Sequence, residues 1–151
     1  MALDDDIRIL SGVELLSGFT SEQLRLLAFG AESLRLAAGR VLYREGQSAE
    51  SGYVVTTGTV SLFRERDGKR VNLAEVGPGA MLGELAIIAP TTRLTGALAT
   101  SDVELIRLNR TLFRRILTEY PETAALLHQR ITDNLGVLLA DIQSLAPRFS
   151  D

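Results

Sequence analysis

Glycine is the residue that most constrains this chain. Between 39 and 108 it recurs at positions 39, 46, 52, 58, 68, 77, 79, 83 and 96. The segments between these breaks are short and carry β-branched and aromatic residues, the texture of short strands in a sandwich or barrel. One turn is legible directly. Val60, Leu62 and the Arg64/Arg66 pair run into Asp67-Gly68, a dipeptide suited to a type I′ hairpin, before Val71 and Leu73 resume the alternation.

Helical patterns flank this region. Residues 7–38 read as helical, with Thr20 as N-cap, Gln23 as its capping-box partner, and Leu24, Leu26, Leu27 and Phe29 following. After Asn109, a second candidate N-cap, Leu112, Phe113, Ile116 and Leu117 fall at helical spacing as far as Tyr120-Pro121, where proline permits a new first turn. In the helix that follows, Ala124, His128, Ile131, Leu135, Leu138, Ile142 and Leu145 alternate at spacings of four and three, like a coiled-coil seam. That stripe predicts a homodimer through the last helix, with Ile131, Leu135, Leu138 and Ile142 on the seam or closing as a lid over the site, and His128 packed within it. No internal repeat or linker divides the chain. The expected organisation is one domain over 1–151, with N-terminal helices at 7–38, a β-rich body at 39–108 and C-terminal helices at 109–146.

Composition narrows the function. With 151 residues, 46% of them hydrophobic, the chain is long enough for one self-sufficient core. Sixteen basic residues against nineteen acidic ones leave a net charge of −3, the wrong sign for collecting nucleic-acid phosphates. The absence of cysteine removes thiolate nucleophiles and cysteine-ligated metals, and a single histidine cannot build a multi-histidine centre. That histidine sits on a predicted helix, which also argues against a metal-dependent oxygenase or isomerase built on a similar β-architecture. The expectation is therefore a protein that is not an enzyme and holds neither a metal nor a resident cofactor. The acidic start, Met1-Ala-Leu-Asp-Asp-Asp, does not suit a secretory signal, and no apolar run approaches the roughly 20 residues of a membrane span. A cytoplasmic protein without membrane partners is expected.

The stretch with chemical content is Gly77-Pro-Gly-Ala-Met-Leu-Gly-Glu-Leu-Ala-Ile-Ile-Ala-Pro-Thr-Thr-Arg93. Its glycines are spaced GxGxxxG rather than GxGxxG and lie outside any βαβ context, so a dinucleotide fingerprint is a poor fit. Gly83 through Ile88 can instead form a short helical turn after a glycine corner, offering free backbone N–H groups to an anion. Arg93 can fork onto the same anion. A lone Glu/Arg pair is usually structural. A carboxylate beside a phosphate site makes sense when the ligand also brings hydroxyl donors, and a ribose phosphate supplies both.

These residues resemble the cyclic-nucleotide-binding domain shared by the catabolite activator protein, the regulatory subunit of protein kinase A and cyclic-nucleotide-gated channels. The resemblance runs from about residue 10 to 145. It includes Gly39-Arg-Val-Leu-Tyr-Arg-Glu-Gly46, Tyr53-Val-Val-Thr-Thr-Gly58-Thr-Val60, Asp67-Gly68 through Gly79, and Gly83-Glu84-Leu85-Ala86 with Arg93. It implies a mainly β fold with flanking helices: an eight-stranded, jelly-roll-like β-roll, or double-stranded β-helix, with residues 83–95 as its phosphate-binding cassette. It assigns Glu84 to the ribose 2′-hydroxyl, Arg93 to the cyclic phosphate, and the amides of Gly83, Leu85 and Ala86 to the site. Leu73 and Val76 would form the apolar wall near the base.

The sequence departs from the family at Arg93-Leu94-Thr95-Gly96, where Arg-Ala-Ala-Thr or Arg-Thr-Ala-Ser is usual, and at Thr92, where proline often precedes the arginine. Leu94 keeps its N–H but lacks a hydroxyl, which Thr95 could supply one position later. The apolar Gly136-Val-Leu-Leu139 could cap a purine but offers no side-chain hydrogen bond to choose between adenine and guanine. Two functions are open at this point. One is a regulatory module that binds cyclic AMP or cyclic GMP and relays it through the C-terminal helices. The other is a degenerate copy that binds no cyclic nucleotide and works as a dimerisation scaffold. No DNA binding by this chain alone is expected.

Overall fold

The structure, a computed structural model, describes residues 2–133. Helix α1 (Ala2–Ser11), a 3-10 turn (Glu14–Leu16) and helix α2 (Ser21–Gly30) come first. Ten strands follow: β1 (Glu32–Leu36), β2 (Val41–Tyr43), β3 (Ser48–Ala49), β4 (Ser51–Thr57), β5 (Val60–Arg66), β6 (Lys69–Val76), β7 (Met81–Leu82), β8 (Thr91–Thr92), β9 (Gly96–Ala99) and β10 (Val103–Asn109). A second 3-10 turn (Glu84–Ile87) separates β7 from β8. Helix α3 (Arg110–Glu119) and a helix α4 over 121–133 complete the described residues.

The local signals act as the sequence predicts. Thr20 Oγ1 accepts from the Gln23 N–H at 3.1 Å while Gln23 Oε1 accepts from the Thr20 N–H at 2.9 Å, closing a capping box on α2. Asn109 Oδ1 accepts from the Leu112 N–H at 2.8 Å and caps α3. Asp67 (φ 55°) and Gly68 (φ 75°) both take the left-handed conformation that a type I′ turn requires, and Arg66 pairs with Lys69 across it.

Two antiparallel sheets, ordered β1-β10-β4-β7 and β2-β9-β5-β6, enclose the interior of a β-roll. Tyr43, Tyr53, Val55, Val60, Leu82, Ala97, Ala99, Val103 and Leu105 fill that interior. The other face of the first sheet carries Val54, Ile106 and Leu108 into a second core shared with the helices, where Leu10, Leu16, Leu27, Phe113, Leu127 and Ile131 are completely or almost completely buried. The eight strands of these sheets match the expected roll. The structure adds a two-residue ladder, β3 with β8, beside the cassette.

Three expectations need correction. Residues 7–38 are not helical throughout: α1 already begins at Ala2, and the roll begins at Glu32 rather than Gly39. From Glu32 onward Leu34 and Leu36 turn inward in alternation, and all five residues of β1 pair with Val103–Arg107, so tertiary pairing overrides a weak helical pattern. The apolar stripe of α4 does not present Ile131 to a twin. Leu127 and Ile131, both 0% exposed, pack against this chain's own helices, because α1, α2 and the first 3-10 turn already supply the covering surface. His128, expected on the seam, is exposed instead. Leu135, Leu138, Ile142 and Leu145, with the rest of the expected helix to 146, lie outside the described residues.

Candidate ligand-binding site

The cassette is built by a glycine corner. Gly83 adopts φ 67°, ψ 35°, and its missing side chain is needed, since a Cβ there would run into Arg93 Nη1. The chain then makes the 3-10 turn Glu84–Ile87, in which the Ala86 N–H donates to Gly83 O at 3.1 Å. That bond corrects one expectation: the Ala86 amide closes the turn rather than facing a ligand. The Leu85 N–H, at the start of the turn, has no partner within it.

Arg93 is held from the other side. Its N–H donates to Gln47 O at 2.8 Å and its carbonyl accepts from the Gly46 N–H at 2.9 Å, next to the β3–β8 ladder. These bonds turn the side chain inward. The guanidinium lies 4.2 Å from the Tyr43 ring centroid and 5.6 Å from that of Tyr53, and the two rings stack on each other at 6.1 Å. Arg93 is 7% exposed, and its Nε and Nη1 are buried with no hydrogen-bond partner among the described residues. The cation–π contacts offset part of the desolvation but do not replace hydrogen bonds.

The electrostatics follow from burial. Desolvation pulls the Arg93 pKa below its ordinary value, the two tyrosines counter it, and nearby Arg107 adds to the lowering. Burial also pushes the Tyr43 hydroxyl up to about 12, against opposing contributions from Arg93 and a side-chain hydrogen bond to Thr95. Thr95, whose hydroxyl is expected to serve a phosphate, lies beside Tyr43 on the cavity wall.

Gly83, Glu84, Leu85, Ala86, Arg93, Leu94 and Thr95, widely separated in character but predicted as one site, line a single cavity. Ile131 of α4 lines the same cavity, so the last described helix reaches the ligand site. The apolar wall is not Leu73 and Val76: neither lines the cavity, whose wall is formed instead by Leu62 on β5 with Met81 and Tyr43. β6 is the edge strand of its sheet, so β5 stands between it and the cavity.

Two residues were missed by sequence reasoning. Tyr43 stands within the quoted Gly39–Gly46 stretch but is too short a strand to show which face points inward. Arg110, the first residue of α3, places Nη1 3.2 Å from Ala49 O, 3.4 Å from Ala86 O and 3.2 Å from Ala89 O. It ties the cassette to α3. Its signal was a basic residue in a helix's first turn, where cations are disfavoured.

A roll of two antiparallel sheets with a buried guanidinium on its cavity wall has the architecture of a small-molecule-binding β-roll. The chain belongs to the cyclic nucleotide-binding domain family, whose model matches residues 33–120. Among solved structures, a cyclic nucleotide-binding-like protein from Brucella abortus is 63% identical, with TM-score 0.70, covering 76% of this chain and 99% of that one. Two protein kinase A regulatory subunits are each 27% identical. One, from Toxoplasma gondii with cyclic AMP, has TM-score 0.71 and covers 76% of this chain and 44% of that one. The other, from the cyclic-AMP-independent kinase of Trypanosoma cruzi bound to guanosine, has TM-score 0.68 and covers 78% and 42%. The curated relatives include Lysophospholipase NTE1 of Chaetomium globosum, 29% identical over 89% of this chain, which spans only 9% of that protein's length. Among the described residues no helix is long and apolar enough to cross a membrane.

Proposed function

We propose that this chain is a regulatory binding module for a cyclic purine nucleotide, cyclic AMP or cyclic GMP, with no chemistry of its own. The observation that carries the reading is Arg93: a guanidinium with two buried, unpartnered nitrogens on the wall of a cavity. Such a group needs an acceptor, and a cyclic phosphate is an acceptor of the right charge. Glu84, half-buried on the same wall, would accept from the ribose 2′-hydroxyl. Leu62, Met81 and Ile131 would enclose the base.

The relay is proposed to run through two contacts. Arg110 joins the cassette carbonyls to the start of α3, so a shift of the turn Glu84–Ile87 pulls directly on that helix. Ile131 brings α4 to the cavity wall, and Arg130 Nη1 donates to Leu15 O and Ser17 O, linking α4 to the N-terminal turn. A ligand that binds one arrangement of these helices better than another shifts the population between them.

Isothermal titration of the protein with cyclic AMP and cyclic GMP tests the reading. Saturable binding is expected, weakened in Arg93→Ala by ~10-fold to well over 100-fold, the effect of losing a charge-assisted hydrogen bond worth roughly 1.5–3 kcal/mol. No heat from either nucleotide would instead support the ligand-free scaffold.

A further inference from the structure

The roll interior holds a second arginine that the proposed site does not use. Arg107 lies on β10 directly across from Tyr53 on β4, and residues paired in this way share a face of the sheet. Tyr53 is buried in the roll interior, while Ile106 and Leu108, on either side of Arg107, enter the opposite, helix-side core. Arg107 therefore faces inward. Its Nε is buried with no hydrogen-bond partner among the described residues, the same condition as Nε and Nη1 of Arg93. Tyr53 joins the two arginines, with one paired to it in register and the other 5.6 Å from its ring. Glu32, opposite Arg107 on β1, is exposed, and the ion pairs formed among the described residues include neither arginine.

Two like charges in one interior repel each other, and each leaves a buried N–H unsatisfied. An anion held on the Arg93 nitrogens satisfies them and offsets the repulsion, whereas an uncharged ligand leaves the repulsion in place. The distinction matters in this family, because the Trypanosoma cruzi neighbour is bound to guanosine, an uncharged nucleoside.

We propose that Arg107 is a charge-selecting positioning residue: with Arg93 across Tyr53, it commits the cavity to an anionic cyclic nucleotide over the uncharged nucleoside of the same base. Arg107 acts on the ligand through its field and through Arg93 rather than by contact, since it does not line the cavity. The inference rests on the nucleotide-binding reading and adds the group that sets its charge preference.

The test compares four ligands, cyclic AMP, cyclic GMP, adenosine and guanosine, on the wild type, Arg107→Met and Arg107→Lys. In Arg107→Met the nucleotide-to-nucleoside affinity ratio is expected to fall about tenfold while nucleoside affinity moves less than about twofold, and Arg107→Lys, which keeps the charge, should retain the ratio within about threefold. A purely structural role would weaken nucleotide and nucleoside alike. That result, or an unchanged ratio in Arg107→Met, overturns the proposal.

A wild type that binds none of the four ends the nucleotide reading, and the arginine pair is then judged on inorganic phosphate. Phosphate should raise the wild-type melting temperature above that in chloride at matched ionic strength, and the rise should be lost in Arg107→Met. An equal rise in both, or none in the wild type, overturns the pair.

Discussion

Both faces of the β1-β10-β4-β7 sheet bury apolar side chains, but the roll side also takes in arginine. On the helix side, Val54, Ile106 and Leu108 meet Phe113 and Leu127, apolar groups fully satisfied by packing alone. On the roll side, Tyr53 and Arg107 face a space that also holds Tyr43, Thr95 and the orphaned nitrogens of Arg93. One core is complete without a ligand and the other is not. The helix side is closed by packing alone, whereas the roll side adds to its packed residues buried N–H groups with no partner among the described residues.

The largest effect should come from breaking the complete core. Phe113 is 0% exposed, and Phe113→Ala should cost ~3–5 kcal/mol in chemical denaturation, as for other large buried aromatics. Variant protein that remains folded should still bind nucleotide within a few-fold of wild type.

The next effect belongs to the roll side and appears at alkaline pH. The Tyr43 hydroxyl is pushed up to about 12 in the folded chain, against about 10 for an unperturbed tyrosine. The folded state holds the proton more tightly. Its contribution is therefore intact below about pH 10 and lost as pH rises toward 12, by roughly 2.7 kcal/mol for a two-unit shift. Denaturant midpoints measured across that window should fall less steeply for Tyr43→Phe than for wild type.

The smallest effect tests the connection between the two sides. Arg110→Ala removes the bonds to Ala49, Ala86 and Ala89 and should cost roughly 1–1.5 kcal/mol. Its informative readout is hydrogen exchange: nucleotide should change the protection of α3 amides in wild type and much less in Arg110→Ala, with binding nearly preserved.

The sequence made the turns and caps legible because each depends on a few adjacent residues. Thr20, Asn109 and Asp67-Gly68 are local chemistry, and the glycine corner at 83 belongs with them. The cassette was legible through resemblance, and its seven residues do meet at one cavity. What stayed hidden depends on partners far along the chain. Residues 32–36 became a strand because β10 was there to pair with them. Leu73 and Val76 gave way to Leu62 because strand order decides which strand faces the cavity. Ile131 packs inward rather than onto a twin because the N-terminal helices cover it, which a stripe read alone cannot show. The Ala86 amide is engaged locally by Gly83 O, a bond that only the folded geometry reveals. The charge condition of the interior, two arginines with buried nitrogens that lack an acceptor among the described residues, was not legible at all.

The most direct test of that incomplete core is a pair of thermal melts on wild type and Arg93→Ala, each with and without cyclic nucleotide. An interior that is incomplete without its ligand predicts that free Arg93→Ala melts at or above the wild-type temperature, because an unpartnered buried charge has been removed. It also predicts that the nucleotide shift, ~2.7 kcal/mol of stabilisation at a hundredfold excess over the dissociation constant, is present in wild type and lost in the variant. A variant that melts well below wild type yet keeps the full shift would contradict it, showing that Arg93 supports the fold and not the ligand.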